Sequence, residues 1–155
     1  MYSNELVCNI IEYLNKNINK EITIDELSML FNFDKTYIMK RFKKELAISI
    51  HEYINIIRIL NSLQSFRDDN YFLSIGLRNG FNSLEYFSET FKKVLGVNPR
   101  TYKKYISYNS DVSKESERLI LSNLSKIYNI KKNASDYLNH RKPTEAYYKA
   151  IKLMY

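Results

Sequence analysis

The 155-residue chain has one cysteine, two prolines, three glycines, two histidines and no tryptophan. Each scarcity excludes something. A lone thiol, Cys8, permits neither an intrachain disulfide nor a cysteine metal cluster. Its neighbours Leu6, Val7, Ile10 and Ile11 set it in an apolar helical pattern, as a core side chain rather than a nucleophile. His51 and His140 stand far apart with no ligand spacing around either, so no metal and no cofactor is expected. So few glycines and prolines cannot serve an all-β protein that must turn every few residues. No apolar run approaches a membrane span and the N-terminus lacks a signal-peptide pattern, which predicts a cytoplasmic protein with no membrane partner. Neither a nucleophile–base pair nor a phosphate-cradling glycine loop is found, so catalysis is not expected and no catalytic residue is assigned.

What is present is charge of one sign in excess. Twenty-four basic against 17 acidic residues leave +7, which favours an anionic partner such as nucleic acid. Taken alone, that excess fits a merely solubilising surface equally well. The hydrophobic fraction of 45% and charged fraction of 26% belong to an ordinary globular chain.

An internal repeat at an offset of about 48 to 49 residues organises the first two thirds of the chain. Leu27 and Ser28 align with Ile75 and Gly76, and Asn32 and Phe33 with Gly80 and Phe81. One residue then enters the second copy. After it Tyr37 matches Tyr86, Phe42-Lys43-Lys44 matches Phe91-Lys92-Lys93, Leu46-Ala47 matches Leu95-Gly96, and Tyr53 matches Tyr102.

Each copy reads as two short helices and a tight turn. Thr23 and Glu26 form a capping box that starts a helix with Leu27, Leu30 and Phe31 inward. Asp34 caps the next helix, which runs to about Leu46 with Ile38, Phe42 and Tyr37 toward the core. A box at Ser49 and Glu52 opens a long helix through about Phe66, and one at Asn82 and Glu85 opens a helix to about Leu95. Gly76 and Ser28 are small where paired helices approach, Gly80 suits a turn with positive φ, and Gly96 ends its helix. Asn98 and Pro99 offer an N-cap and first helical residue. With a helix over residues 4–18, about seven helices are expected by residue 105.

Such a pair of units is the pattern of a helix-turn-helix, in which one helix braces and the next enters the major groove of double-stranded DNA. Lys35, Lys40, Arg41, Lys43 and Lys44 lie in or near the first candidate recognition helix. Lys92, Lys93, Arg100, Lys103 and Lys104 trail the second. Both sets are placed to neutralise phosphates. The plainer reading, apolar anchors followed by solvated lysines that complement a helix dipole, is outweighed by their repetition after two matching turns.

On these residues, and on Arg58, Tyr86-Phe87 and the run from Pro99 to Tyr102, the chain resembles the AraC/XylS family's DNA-binding domain over about residues 4–105. The resemblance implies an all-α fold: two helix-turn-helix subdomains joined by a linker helix over about 49–66, within a domain at 1–105. Carried over residue by residue, it implies base contacts from Thr36, Met39 and Lys40 in the first unit and from Leu84, Glu85, Ser88 and Glu89 in the second. Phosphate contacts are Lys35, Arg41, Lys43, Lys44, Lys92, Lys93, Arg100, Lys103 and Lys104. Two acids facing DNA are unfavourable unless paired, so the first unit is the expected stronger reader, with Glu85 engaged in its capping box. Arg58 is expected to pair with a carboxylate between subdomains. Ala47 stands where the family often has Gly, and residues 60–66 match poorly.

The implied function is that of a bacterial, sequence-specific transcription regulator, with activation the commoner outcome. It would bind DNA as a monomer and contact RNA polymerase. The alternative is a protein-interaction module, an antagonist that has lost specific binding, for which Glu85 and Glu89 are the best support. Residues 106–155 form a helical C-terminal extension outside the resemblance, with nine basic and five acidic residues. Ser107 to Ser116 reads as a linker, Ile120, Leu121, Leu124 and Ile127 as one helix, and Pro143 as the start of another. The extension can serve as plain structure, as a phosphate-contacting or dimerising element, or as a ligand sensor, the last disfavoured because so short a segment builds only a small pocket.

Overall fold

The α-helical reading is realised throughout a computed structural model that describes residues 3–107 and 111–154, with side chains over 5–107 and 111–139. Eight α-helices follow in order: α1 (Ser3–Lys16), α2 (Ile24–Phe31), α3 (Lys35–Leu46), α4 (Ile50–Ser62), α5 (Phe72–Arg78), α6 (Leu84–Leu95), α7 (Pro99–Ile106) and α8 (Lys114–Met154). A 3-10 turn, Leu63–Arg67, follows α4. The described residues contain no strand.

The chain divides into two compact units, one of Met1–Asn17, Ile22–Ile50 and Ile130–Tyr155, the other of Ile18–Glu21 and His51–Asn129. In the first, α1 and α2 pack on α3. Leu6, Ile10, Ile11 and Leu14 recur at helical spacing and are fully buried, as are Leu27, Ile38 and Phe42. Thr23 accepts from the Glu26 amide at 3.1 Å as its capping sequence requires. The Glu26 carboxylate, however, accepts from the Tyr13 hydroxyl, so the box is closed by tertiary structure on that side. Two predicted core residues lie outside. Leu30 is 53% exposed, and Tyr37 is exposed with its ring stacked on Phe33 at 5.3 Å. A helix of eight residues buries only one stripe, and Leu27 fills it.

In the second unit Phe66 is the centre. The rings of Phe72, Phe87, Phe91 and Tyr102 surround it at centroid distances of 5.2 to 6.4 Å. A Cβ on Gly76 would lie 3.0 Å from Phe87, which explains the small residue at the crossing of α5 and α6. The linker helix is shorter than predicted. The buried Ser62 hydroxyl donates to the Ile59 carbonyl at 2.6 Å, and the backbone tightens to 3-10 from Leu63. Arg58 also departs from its expectation. It donates from Nε to the Ile18 carbonyl at 2.8 Å and from a terminal nitrogen to that of Lys20 at 2.7 Å, not to a carboxylate. Burial lowers its pKa, and its guanidinium lies 5.9 Å from the Phe81 ring centre. Gly80 completes this corner at φ +92°, where a Cβ would meet Arg58 Nε at 2.7 Å.

The extension is one helix where two were predicted. It begins at Lys114, inside the expected linker, with the Ser113 hydroxyl accepting from the Ser116 amide at 3.1 Å. It runs on through Pro143 to Met154; a proline inside a helix removes one N–H bond without forbidding the helix. Its inward stripe is Ile120, Ile127 and Ala134, while Leu121 is half exposed. Ile120 and Ile127 belong to the core of the second unit.

Candidate nucleic-acid interface

The repeat is preserved in backbone geometry more closely than in side chains. The turn residues Asn32 and Gly80 both have positive φ, 55° and 92°, and the helix-ending residues Ala47 and Gly96 share it at 64° and 89°. Asp34 caps α3 by accepting from the Thr36 amide at 3.0 Å. Ser83, at the equivalent position, caps α6 by accepting from the Tyr86 amide at 3.1 Å. This moves the predicted cap from Asn82 by one residue and leaves Glu85 outside a capping box.

On α3, Thr36, Met39, Lys40 and Lys43 fall at i, i+3, i+4 and i+7, one face of a helix. All four are exposed, opposite buried Ile38 and Phe42. Lys44 is exposed beside them. Lys35 is exposed and ion-paired with Asp25. Arg41 lies on the other side of the helix, its side chain 18% exposed and 2.7 Å from Glu45. Glu45 also faces Tyr137 of α8. Burial first, and then the Glu45 charge and hydrogen bond, push the Tyr137 pKa up to about 12.

On α6 the corresponding face is Glu85, Ser88, Glu89 and Lys92, opposite buried Phe87 and Phe91. Glu85, Glu89, Lys92 and Lys93 are exposed and Ser88 partly so; Leu84 is 43% exposed at the helix start. Neither glutamate forms an ion pair among the described residues. Under the repeat, Glu89 stands where α3 has Lys40, so two similar backbones present faces of opposite charge. The half-buried Tyr86 hydroxyl donates to Asn55 Oδ1 at 3.3 Å, tying the back of α6 to α4.

Beyond α6, Arg100 and Lys104 are exposed on α7, whose start Asn98 caps by accepting from the Thr101 amide at 2.9 Å. Lys103 is partly buried, and its ammonium donates to the carbonyls of Phe66 and, at 3.4 Å, Asp69. Thus Arg41 and Lys103 are partly buried and engaged internally, while Lys35 is paired with Asp25 at the surface. Sequence reasoning missed Asn123, whose amide donates to the Leu95 carbonyl at the end of α6, and Tyr137 beside Glu45. The one available signal was the seven-residue spacing of Ile120, Ile127 and Ala134, which marks a single buried stripe with both polar residues near it. Among the described residues no helix is long and apolar enough to cross a membrane, and no cluster of potential metal ligands occurs.

Comparison with known proteins agrees with this geometry. Residues 27–105 match the family described as "Helix-turn-helix domain". The chain is 30% identical over 103 residues to the transcriptional regulatory protein HptR of Staphylococcus aureus (strain NCTC 8325 / PS 47), covering 66% of this chain and 41% of that protein. An uncharacterized HTH-type transcriptional regulator of Bacillus subtilis, YbfP, is 26% identical over 117 residues, 75% of this chain and 40% of its own length. The chain therefore spans about two fifths of these curated relatives. Among solved structures, the C-terminal domain of AraT, a response regulator from Geobacillus stearothermophilus, superposes with a TM-score of 0.62 at 26% identity. That match covers 70% of this chain and 93% of the domain.

Proposed function

Since the chain belongs to the AraC-type helix-turn-helix family, we propose that it is a sequence-specific transcription regulator whose two units read two adjacent major-groove segments of double-stranded DNA. The observation that carries this reading is the duplicated, exposed face on α3 and α6, each behind a matching side-chain cap and each followed by a lysine pair. Thr36 and Met39 can contact a thymine methyl, and Lys40 can donate to guanine. On α6 Leu84, Glu85, Ser88 and Glu89 occupy the corresponding groove face, where a glutamate accepts from cytosine N4. Lys35, Lys43, Lys44, Lys92, Lys93, Arg100 and Lys104 supply phosphate neutralisation. Arg41 and Lys103 add charge without a free side chain to offer. A monomer on DNA, activation by contact with RNA polymerase, and a cytoplasmic location complete the proposal; the extension is a possible dimer contact only if its outward face pairs.

A second reading, an interaction module without specific DNA binding, is favoured by one observation. Glu85 and Glu89 are exposed and form no ion pair among the described residues. One experiment separates the two. The protein is incubated with a randomised duplex library at near-physiological salt, and the retained DNA is sequenced. Enrichment of a bipartite motif with half-sites about one helical turn apart supports reading by both units. A single short motif leaves α3 as the only reader, and absence of binding transfers the reading to the interaction module.

A further inference from the structure

The last turn of α6 is covered more fully than the last turn of α3. At equivalent positions of the repeat, Leu46 is partly exposed and Ala47 exposed, whereas Leu95 is fully buried and Gly96 partly so. The cover comes from α8, which begins at Lys114 and lies outside the matched segment 27–105. Ile120 and Ile127 of α8 share a buried core with Phe91, Leu95 and Val97. A Cβ on Gly96 would stand 3.3 Å from that of Leu119 and 2.7 Å from the Asn123 amide nitrogen. The close approach of α8 thus calls for glycine at this position, in addition to its positive φ. Ala47 has a similar φ but is exposed, and it keeps its methyl group.

Asn123 uses both of its amide hydrogens at this contact. One goes to the Leu119 carbonyl at 2.9 Å, within its own helix, and fixes the side chain. The other goes to the Leu95 carbonyl at 3.0 Å. Both partners only accept, so the amide can present only its nitrogen to them. The Lys92 carbonyl is already taken by the Gly96 amide at 2.8 Å. Helix ends ordinarily fray; this one is held from within and from α8, and Lys92 and Lys93 project from the turn so held. A helix that reads a groove must keep its side chains within about 0.5 Å of a productive position, a constraint that supporting hydrogen bonds supply.

We propose, on the reading of α6 as a groove helix, that Asn123 is a positioning residue for it, so that α8 sets base preference in the half-site α6 reads. Asn123 needs no contact with DNA. It acts through the Leu95 carbonyl and the packing at Gly96, and a residue outside the family's segment thereby controls one half of the recognition.

The test uses the full chain and the bipartite duplex selected from the randomised library, with each half-site scrambled in turn. Lys40→Ala marks the α3 half-site and Glu89→Gln the α6 half-site. Discrimination at each is the ratio of Kd for the scrambled and the intact duplex, measured well below the melting temperature of every variant. Asn123→Ala should lower the α6 ratio roughly fivefold, as one lost hydrogen bond would. The α3 ratio should stay within about twofold of the parent, as for a distant site. Asn123→Asp, of nearly the same shape, sets a carboxylate against two carbonyls and should lower the α6 ratio at least as far. Ser62→Ala is the control. It removes the buried hydrogen bond to the Ile59 carbonyl and should leave both ratios at the parent values. Unchanged α6 ratios in both Asn123 variants overturn the proposal while DNA reading stands. Equal losses at both half-sites, or the same α6 loss in Ser62→Ala, mark general loosening and overturn it too. A parent that selects no second half-site overturns it together with the reading of α6 on which it rests.

Discussion

The side-chain amide of Asn123, on α8, donates to the backbone carbonyl of Leu95 at 3.0 Å and to that of Leu119 at 2.9 Å. The last carbonyls of a helix have no partner within it. Here the extension supplies one, so α8 takes part in ending α6. Asn123→Ala leaves that carbonyl to water and should destabilise the protein by about 1 kcal/mol. Faster amide exchange in the last turn of α6, and not in α3, is the expected signature. Uniform exchange in the two helices would show that the bond does not hold α6.

Ala47 and Gly96 end α3 and α6 in the same left-handed conformation, but only Gly96 is free of a Cβ penalty. Ala47→Gly should therefore stabilise the protein by up to about 1 kcal/mol, the relief of a left-handed alanine less the extra freedom of glycine in the unfolded chain. Gly96→Ala should do the reverse and more. Its Cβ would also stand 2.7 Å from the Asn123 amide nitrogen. Paired urea titrations check both signs.

Lys40 and Lys43 share one exposed face of α3 and differ in depth along it. Lys40→Ala should relax preference at one or two base pairs, a loss of about 1–3 kcal/mol of discrimination. Lys43→Ala should weaken all sequences alike and lower the salt slope by about one. Binding curves on selected and random duplexes at several salt concentrations separate them. Equal losses on both DNAs for Lys40→Ala would remove it from the base contacts.

Glu85 and Glu89 place two carboxylates where the equivalent α3 residues are Thr36 and Lys40. Replacing both by Gln should tighten duplex binding by on the order of tenfold, since like charges facing phosphate are unfavourable. A loss of preference at one half-site, with no gain in affinity, would instead mark one glutamate as a cytosine contact.

Tyr137 titrates near 12 against an ordinary value of 10.0, because burial and the Glu45 charge disfavour its phenolate. Cys8 adds to this and Arg41 opposes it. A folded pKa above the unfolded one means that its contribution to stability is complete below pH 10 and is lost as pH rises toward 12. Tyr137→Phe should therefore lose less stability than the parent over that range. Parallel stability curves for the two proteins would show that Tyr137 does not bear the shift.

Much of the architecture was legible because it is local. Helix starts at Thr23, Asp34 and Asn98, the left-handed turns at Gly80 and Gly96, and the buried stripe of α1 each depend on residues within a turn or two. Apolar spacing and side-chain caps act at that range, so the tandem units could be read from one strand of letters. The exposed faces of α3 and α6 were legible for the same reason, since helical spacing alone separates them from Ile38, Phe42, Phe87 and Phe91.

What the sequence by itself determined is therefore the seven helices up to residue 105, their repeat and the outward faces of α3 and α6. Tertiary structure decided which long side chains are free. Arg41 turned to Glu45, Lys103 to the Phe66 carbonyl and Arg58 to Ile18 and Lys20, partners that are distant in sequence for Lys103 and Arg58. It also placed Ile120 and Ile127 of α8 in the core of the second unit and Asn123 against Leu95. Flexible cations and an amphipathic helix have many local solutions of similar energy. Only burial against a particular surface, where an unpaired polar group is costly, selects one of them.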